Sequence, residues 1–349
     1  MELAAIINQY YDVFIEKFSY TVLPGHLKAM RAICNCRTPD SGELYVHCPE
    51  CDHKEKRPLS CGHRSCPKCQ NHETSRWIDR QQGKLLPVPY FMVTFTLPRQ
   101  LRPLAWYHQR EVYAMMFSCA SSTLRDFGLN PKNLGAELGA TMVLHTHKRD
   151  RNYHVHLHVV VSGGGVDKQR RQWKKKKGKY LFNEFALARV FRARFLDALN
   201  KANLPIPKNV PGKWVANCKY AGTGITALKY LSKYLYRGVI SEKNIVSNKN
   251  GKVTFKYIDS DTKKIKYKTL KGEDFLKRIL QHVLPKGFRR VRDYGFLHGN
   301  SKKLLQLVQL ILHVFIKALK PRPRPVFKCP CCKSPMIILG YCQAGWEAG

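Results

Sequence analysis

Residues 153–165 read Tyr-His-Val-His-Leu-His-Val-Val-Val-Ser-Gly-Gly-Gly. A strand sends alternate side chains to opposite faces, so His154, His156 and His158 share one face while Val155, Leu157 and Val159 turn toward a core. Three imidazoles are costly to bury without partners, and together they offer a chelate for a divalent ion. The bland alternative is a solvated strand face. A second set lies in Ile225–Arg237. On a helix Tyr230 and Tyr234 are i and i+4, so their hydroxyls share a face, beside a basic stripe of Lys229, Lys233 and Arg237. Alone, such a pair reads as packing. Beside a metal strand it reads as a pair of nucleophiles. A divalent ion can polarise a phosphodiester oxygen and stabilise in-line displacement, and a phenolate can attack the phosphorus to form a covalent ester.

A third group is built from thiols. Cys48-Pro-Glu-Cys51 and Cys66-Pro-Lys-Cys69 are two C-x-x-C knuckles with 14 residues between them. That is close to the spacing of a four-cysteine zinc ribbon, each knuckle giving two thiolates to one tetrahedral ion. Cys34, Cys36, Cys61 and His63 remain and could hold a second zinc; otherwise they are buried thiols behaving as small apolar residues. Near the C-terminus, Cys329-Pro-Cys-Cys332 is a further possible knuckle. Thirteen cysteines grouped in this way fit metal binding in a reducing compartment better than disulfides.

The 349 residues carry 61 Lys+Arg against 24 Asp+Glu, a formal net charge of +37. That excess points to a polyanion, most often nucleic acid. No apolar run is long enough to span a bilayer and no signal peptide is evident, so a cytoplasmic, nucleoid-associated protein is expected. Charge concentrates at Lys168–Lys179. There Arg170, Arg171, Lys174, Lys175, Lys176 and Lys177 could contact phosphates and Trp173 could stack on a base.

Several elements must position these groups. Residues 2–33 read as two helices broken near Pro24-Gly25, with Ile6, Tyr10, Phe14 and Phe18 toward a core. Strands are expected at 90–97 and 139–147, and at the histidine stretch, which the glycines would end as a turn. Helices are expected at 73–86, 103–126 and 183–203, the last capped by Asn183 and burying Phe185, Val190, Phe191 and Phe195. Residues 251–273 read as a β-hairpin, 273–284 and 301–319 as helices, and Pro321–Pro325 as a stiff linker. His145, His147 and Asp150 lie close enough to be weighed as extra ligands. The fold class expected is α+β: a small antiparallel sheet flanked by helices, with an N-terminal helical and zinc-ribbon module. The domains expected are 1–86, 87–300 and 301–349.

His156-Leu-His158 resembles the His-hydrophobe-His motif of HUH single-strand endonucleases, and Tyr230 and Tyr234 resemble the paired nucleophiles of their two-tyrosine class. The wider pattern is similar to bacterial rolling-circle insertion-sequence transposases of the IS91 type. It includes Cys36-Arg-Thr, Ser60-Cys61, Cys66-Pro-Lys-Cys-Gln70, Phe95-Thr-Leu-Pro98, Gly163–Gly165, Tyr230-Leu-Ser-Lys-Tyr234 and His282-Val-Leu-Pro-Lys-Gly-Phe288. The resemblance implies an HUH-type core, a Mg²⁺ or Mn²⁺ ion on His156 and His158, and at least one structural Zn²⁺. It also implies Tyr230 and Tyr234 forming a 5′-phosphotyrosine with mainly single-stranded DNA at element ends. Relatives often have Pro at Val155 and His at Ser65. The departure at Val155 leaves registers 154/156 and 156/158; the second keeps the family's distance to the glycines. His154 and Asp150 are the candidates for a third ligand. Two other readings stand beside this one: a replication initiator or relaxase of the same chemistry, and a non-enzymatic zinc-ribbon DNA binder.

Overall fold

The computed structural model describes residues 1–69, 81, 83–176, 178–223, 239–259, 261–314 and 326–343. The expected helix at 73–86, the tyrosine helix with Lys229, Lys233 and Arg237, the Pro321–Pro325 linker and Lys177 fall wholly or mostly outside them. The chain forms two compact units, 1–73 with 237–283 and 318–349, and 74–236 with 284–317. They cut the chain differently from the three consecutive segments expected, because the first unit draws on three separate stretches. The class is α+β with antiparallel sheets, as expected.

In the first unit, α1 (Leu3–Phe18) and α2 (Pro24–Cys34) break where Pro24 stands at the first turn. A proline fits there because its missing N–H would have no helical partner. β1 (Glu43–His47) and β2 (Lys54–Pro58) form a hairpin. Further along, β8 (Ile245–Lys249), β9 (Lys252–Ile258) and β10 (Ile265–Lys271) make a three-stranded antiparallel sheet, one strand more than the hairpin expected at 251–273. The helix Gly272–Leu280 follows it. This segment packs back on α1: Tyr10 donates to Asn248 Oδ1 at 2.7 Å, and Lys17 pairs with Glu273 at 3.0 Å. Ile6, Phe14, Phe255, Phe275 and Ile279 share one core.

The second unit is built on one sheet. Its strands are β3 (Pro89–Thr96), β4 (Glu137–His147), β5 (Tyr153–Asp167), β6 (Gln172–Lys175), β7 (Val215–Thr223) and β11 (Val291–Gly295). The order is β11-β4-β5-β3-β7, with β6 folded back on β5, and every pair is antiparallel. The helices Arg102–Tyr107 (α3), Gln109–Leu129 (α4) and Glu184–Lys201 (α5) supply the main core with Val155, Leu157 and Val159. The single expected helix at 103–126 is thus two, separated at His108. Asn183 caps α5 by accepting the Ala186 N–H at 2.9 Å. α5 buries Phe191 and Phe195 as expected, but Phe185 is 87% exposed and Leu187 and Leu199 complete the buried face. Among the described residues no helix is long and apolar enough to cross a membrane.

The glycines do not end β5, which runs on to Asp167. A Cβ on Gly163 would lie 2.8 Å from Pro89 O, on Gly164 2.6 Å from the Trp173 ring, and on Gly165 2.6 Å from Glu137 O. The run is there because neighbouring strands approach it closely, not because the chain turns.

Candidate metal centres

β5 occupies the middle of its sheet, and the register decides which side chains meet its histidine face. His145 on β4 lies opposite His156, and Thr94 on β3 lies opposite His158. The ligand atoms of His145, His156 and His158 all fall within 4.8 Å of one another. Their ring centroids stand 4.7 Å (145–158), 4.8 Å (156–158) and 5.3 Å (145–156) apart. His156 and His158 are thereby brought together with His145.

The two candidates for that third place are engaged elsewhere. Arg102 Nη2 donates to His154 Nδ1 at 2.9 Å, occupying the lone pair a metal would need. Asp150 closes its own turn, accepting from the backbone N–H and the side-chain amide of Asn152. The register slips between His145 and His147, so His147 stands opposite Tyr153.

The site is preset for a cation. His156 Nδ1 lies 3.0 Å from His154 O, a carbonyl that can only accept, so the proton sits on Nδ1 and Nε2 keeps its lone pair. His158 Nδ1 lies 3.2 Å from Thr94 Oγ1, a contact that orients the second ring. Burial pushes His156 down to about 4, with Arg290 and Lys148 adding to it against the lift of the His154 carbonyl. Burial, then His156 and His154, pushes His158 to about 3. Burial and the neighbouring imidazoles hold His145 well below its usual range. All three rings are therefore neutral at pH 7, the form that ligates. Three neutral ligands leave a divalent ion its full charge and open positions for oxygen ligands, so the residues fit such a group.

Cys36, Cys61, Cys66 and Cys69 bring their sulfurs within 4.8 Å of one another. Cys36–Cys69 is 3.5 Å and Cys61–Cys69 3.6 Å. Donation from Cys61 draws the Cys66 thiol down from its ordinary value, toward the thiolate that a metal takes. Zinc at about 2.3 Å from four sulfurs fits this set. The expected ribbon of Cys48 and Cys51 with Cys66 and Cys69 does not form. The base of the first hairpin is tied by Arg37 N–H to Leu59 O at 3.1 Å and Leu59 N–H to Gly42 O at 2.8 Å. This sets Cys36 and Cys61 at the base and sends Cys48 and Cys51 to the tip, and a five-residue strand spans roughly 17 Å. Cys48 and Cys51 meet Cys329 and Cys332 instead. Cys34 packs in the helical core and His63 bonds the Ser65 N–H, so neither joins a tetrad.

Two family profiles match: residues 6–97 match the "Transposase zinc-binding domain" of the IS91 type, and residues 139–304 match the family described as "Putative transposase". The chain is 33% identical over 337 residues to "Putative transposase y4qJ" of Sinorhizobium fredii, covering 88% of this chain and 83% of that one. It belongs to the IS91-type rolling-circle transposases. Another relative is the transposase for insertion sequence element IS801 of Pseudomonas savastanoi, 29% identical over 75% of this chain and 68% of that one. The conjugative relaxase TrwC, solved with a 27-mer DNA, overlaps 65% of this chain and 75% of its own at 14% identity, with a TM-score of 0.27 too low to bear on the fold.

The residues expected to contact DNA differ in exposure and pairing. Arg170, Arg171 and Lys175 are exposed. Lys174 pairs with Asp167 at 3.0 Å, and Lys176 reaches Asn133 O at 3.5 Å. Trp173 lies over Gly164 and edge-on to Phe296, 5.9 Å between centroids, a packing position. In sequence His145 stood beside His147 and Asp150 as an extra ligand to be weighed, and Thr94 only as part of the strand expected at 90–97. Their value comes from cross-strand register.

Proposed function

We propose that this transposase nicks and transfers one DNA strand through a covalent tyrosine ester. His145, His156 and His158 hold the divalent ion, and Tyr230 or Tyr234 is the nucleophile. The single observation carrying the reading is the three-imidazole cluster on the central strands of a member of a transposase family. When bound, the ion polarises a phosphate oxygen and offsets charge developing during displacement. The tyrosine oxygen forms a bond to phosphorus, the bond from phosphorus to the 3′ oxygen breaks, and that oxygen leaves as a hydroxyl. One ester replaces another, so the step is near-isoenergetic and the free 3′-hydroxyl can reverse or redirect it. Arg102, Lys148 and Arg290 surround the histidine face with positive charge, which suits an anionic backbone. An all-imidazole set favours Mn²⁺ over the oxygen-preferring Mg²⁺. Tyr230 and Tyr234 enter this reading by resemblance, as do element ends in single-stranded form.

The test is incubation with labelled single-stranded DNA carrying an element end. A protein–DNA adduct stable to denaturation is expected with Mn²⁺. Its survival in Tyr230→Phe/Tyr234→Phe would exclude the tyrosines, and its absence with every end sequence would leave the chain a DNA binder.

A further inference from the structure

We infer that Cys48, Cys51, Cys329 and Cys332 hold a second structural zinc ion, which ties the C-terminal segment to the tip of the first hairpin. Both family matches stop short of residue 326, so half of this site lies beyond them.

The four sulfurs lie within 4.8 Å of one another. Across the two knuckles, Cys48–Cys332 is 3.4 Å and Cys51–Cys329 3.5 Å. Zinc–sulfur bonds of about 2.3 Å give tetrahedral edges of about 3.8 Å. A disulfide needs about 2.05 Å, and all four cysteines are free.

The two knuckles share one backbone form. Their sequences are Cys48-Pro-Glu-Cys-Asp-His53 and Cys329-Pro-Cys-Cys-Lys-Ser334. In each, the first cysteine N–H bonds the carbonyl five residues on: Cys48 to His53 at 2.8 Å, Cys329 to Ser334 at 2.9 Å. In each, the residue after the second cysteine has positive φ, Asp52 at 57° and Lys333 at 65°. Non-glycine residues adopt that conformation at a cost, so its repetition on both sides of one sulfur cluster marks a built site.

The surrounding structure needs such a tie. β12 (Ile337–Cys342) pairs antiparallel with β1, from Glu43 opposite Cys342 to His47 opposite Ile337. Among the described residues the buried cluster there is Val46, Cys48, Cys329 and Met336, flanked by Leu44 and Phe327. On β12 itself Ile338 and Leu339 are each 59% exposed. So small an apolar core does not order a strand by itself, whereas metal binding free energy adds directly to folding.

The full-length protein, purified without added metal or chelator, tests this by metal analysis. The wild type is expected to carry one zinc per chain more than Cys329→Ser/Cys332→Ser, and one more than Cys48→Ser/Cys51→Ser, with Cys331→Ser unchanged. A second readout needs no variant to fold: in the wild type, maleimide should label Cys331 quickly and Cys329 and Cys332 slowly, until a strong chelator is added. Equal zinc in wild type and either double variant overturns the inference. So does equal labelling of all three cysteines, or iron in place of the extra zinc, since four thiolates also suit iron.

Discussion

At the level of single residues, the proposed ion depends on how each ring of the histidine cluster is oriented. Thr94 Oγ1 holds His158 by its Nδ1. Thr94→Val keeps the shape and removes the hydrogen bond, so Mn²⁺ affinity measured by calorimetry should fall roughly 10- to 100-fold, the usual effect of losing a ligand's supporting partner. Unchanged affinity would mean that the ring is held by packing alone. His26 offers a separate test by pH. Its Nδ1 accepts the Leu23 N–H at 3.2 Å, and burial pushes its pKa to about 4 from a usual value near 6.5. Between those values the unfolded chain binds one proton more than the native one, so stability falls as pH drops from about 6.5 to about 4. The contribution is at most about 3 kcal/mol. Urea titrations of wild type and His26→Asn should converge as the pH falls through that window; parallel curves would contradict it. His156 and His158 were legible as a pair because strand alternation is visible in sequence. His145 could be weighed there only alongside His147 and Asp150, because the choice among them depends on which residue of the partner strand faces His156.

At the scale of elements, the glycine run shows why local reading fell short. Three consecutive glycines look like a turn, and only the pairing of β5 with β3, β4 and β6 reveals them as points of close approach. Gly165 is the most exacting, since a Cβ there meets the Glu137 carbonyl at 2.6 Å and the backbone cannot swing aside as a side chain could. Gly165→Ala should destabilise the chain by about 1–3 kcal/mol, as overpacking does. Calorimetry would register this as a lower Tm, and an unchanged Tm would refute the close approach. The cysteine knuckles carry the same lesson. Each C-x-x-C was plain from spacing, but which knuckles share an ion is set by hairpin length and by strand β12; Cys51 and Cys329 are 278 residues apart along the chain.

At the scale of the whole molecule, the net charge of +37 was the most legible property and the least specific. It implies polyanion binding wherever the basic residues lie, but the structure sorts them: Lys168 and Lys174 of the 168–179 stretch are paired, while Arg170, Arg171 and Lys175 face solvent. Replacing Arg170 and Arg171 with Gln should weaken single-stranded DNA binding and reduce the log–log salt slope by roughly 0.7 for each phosphate no longer neutralised. An unaltered slope would mean the loop does not touch the DNA backbone. The proposed reaction joins the imidazole cluster to tyrosine chemistry, and one measurement bears on both. Mass spectrometry of peptides from a DNA-cleavage reaction should find a nucleotide on Tyr230 or Tyr234 in wild type with Mn²⁺, and little or none in His145→Ala or without divalent ion. Equal modification in His145→Ala, or a nucleotide on another residue, would contradict the account.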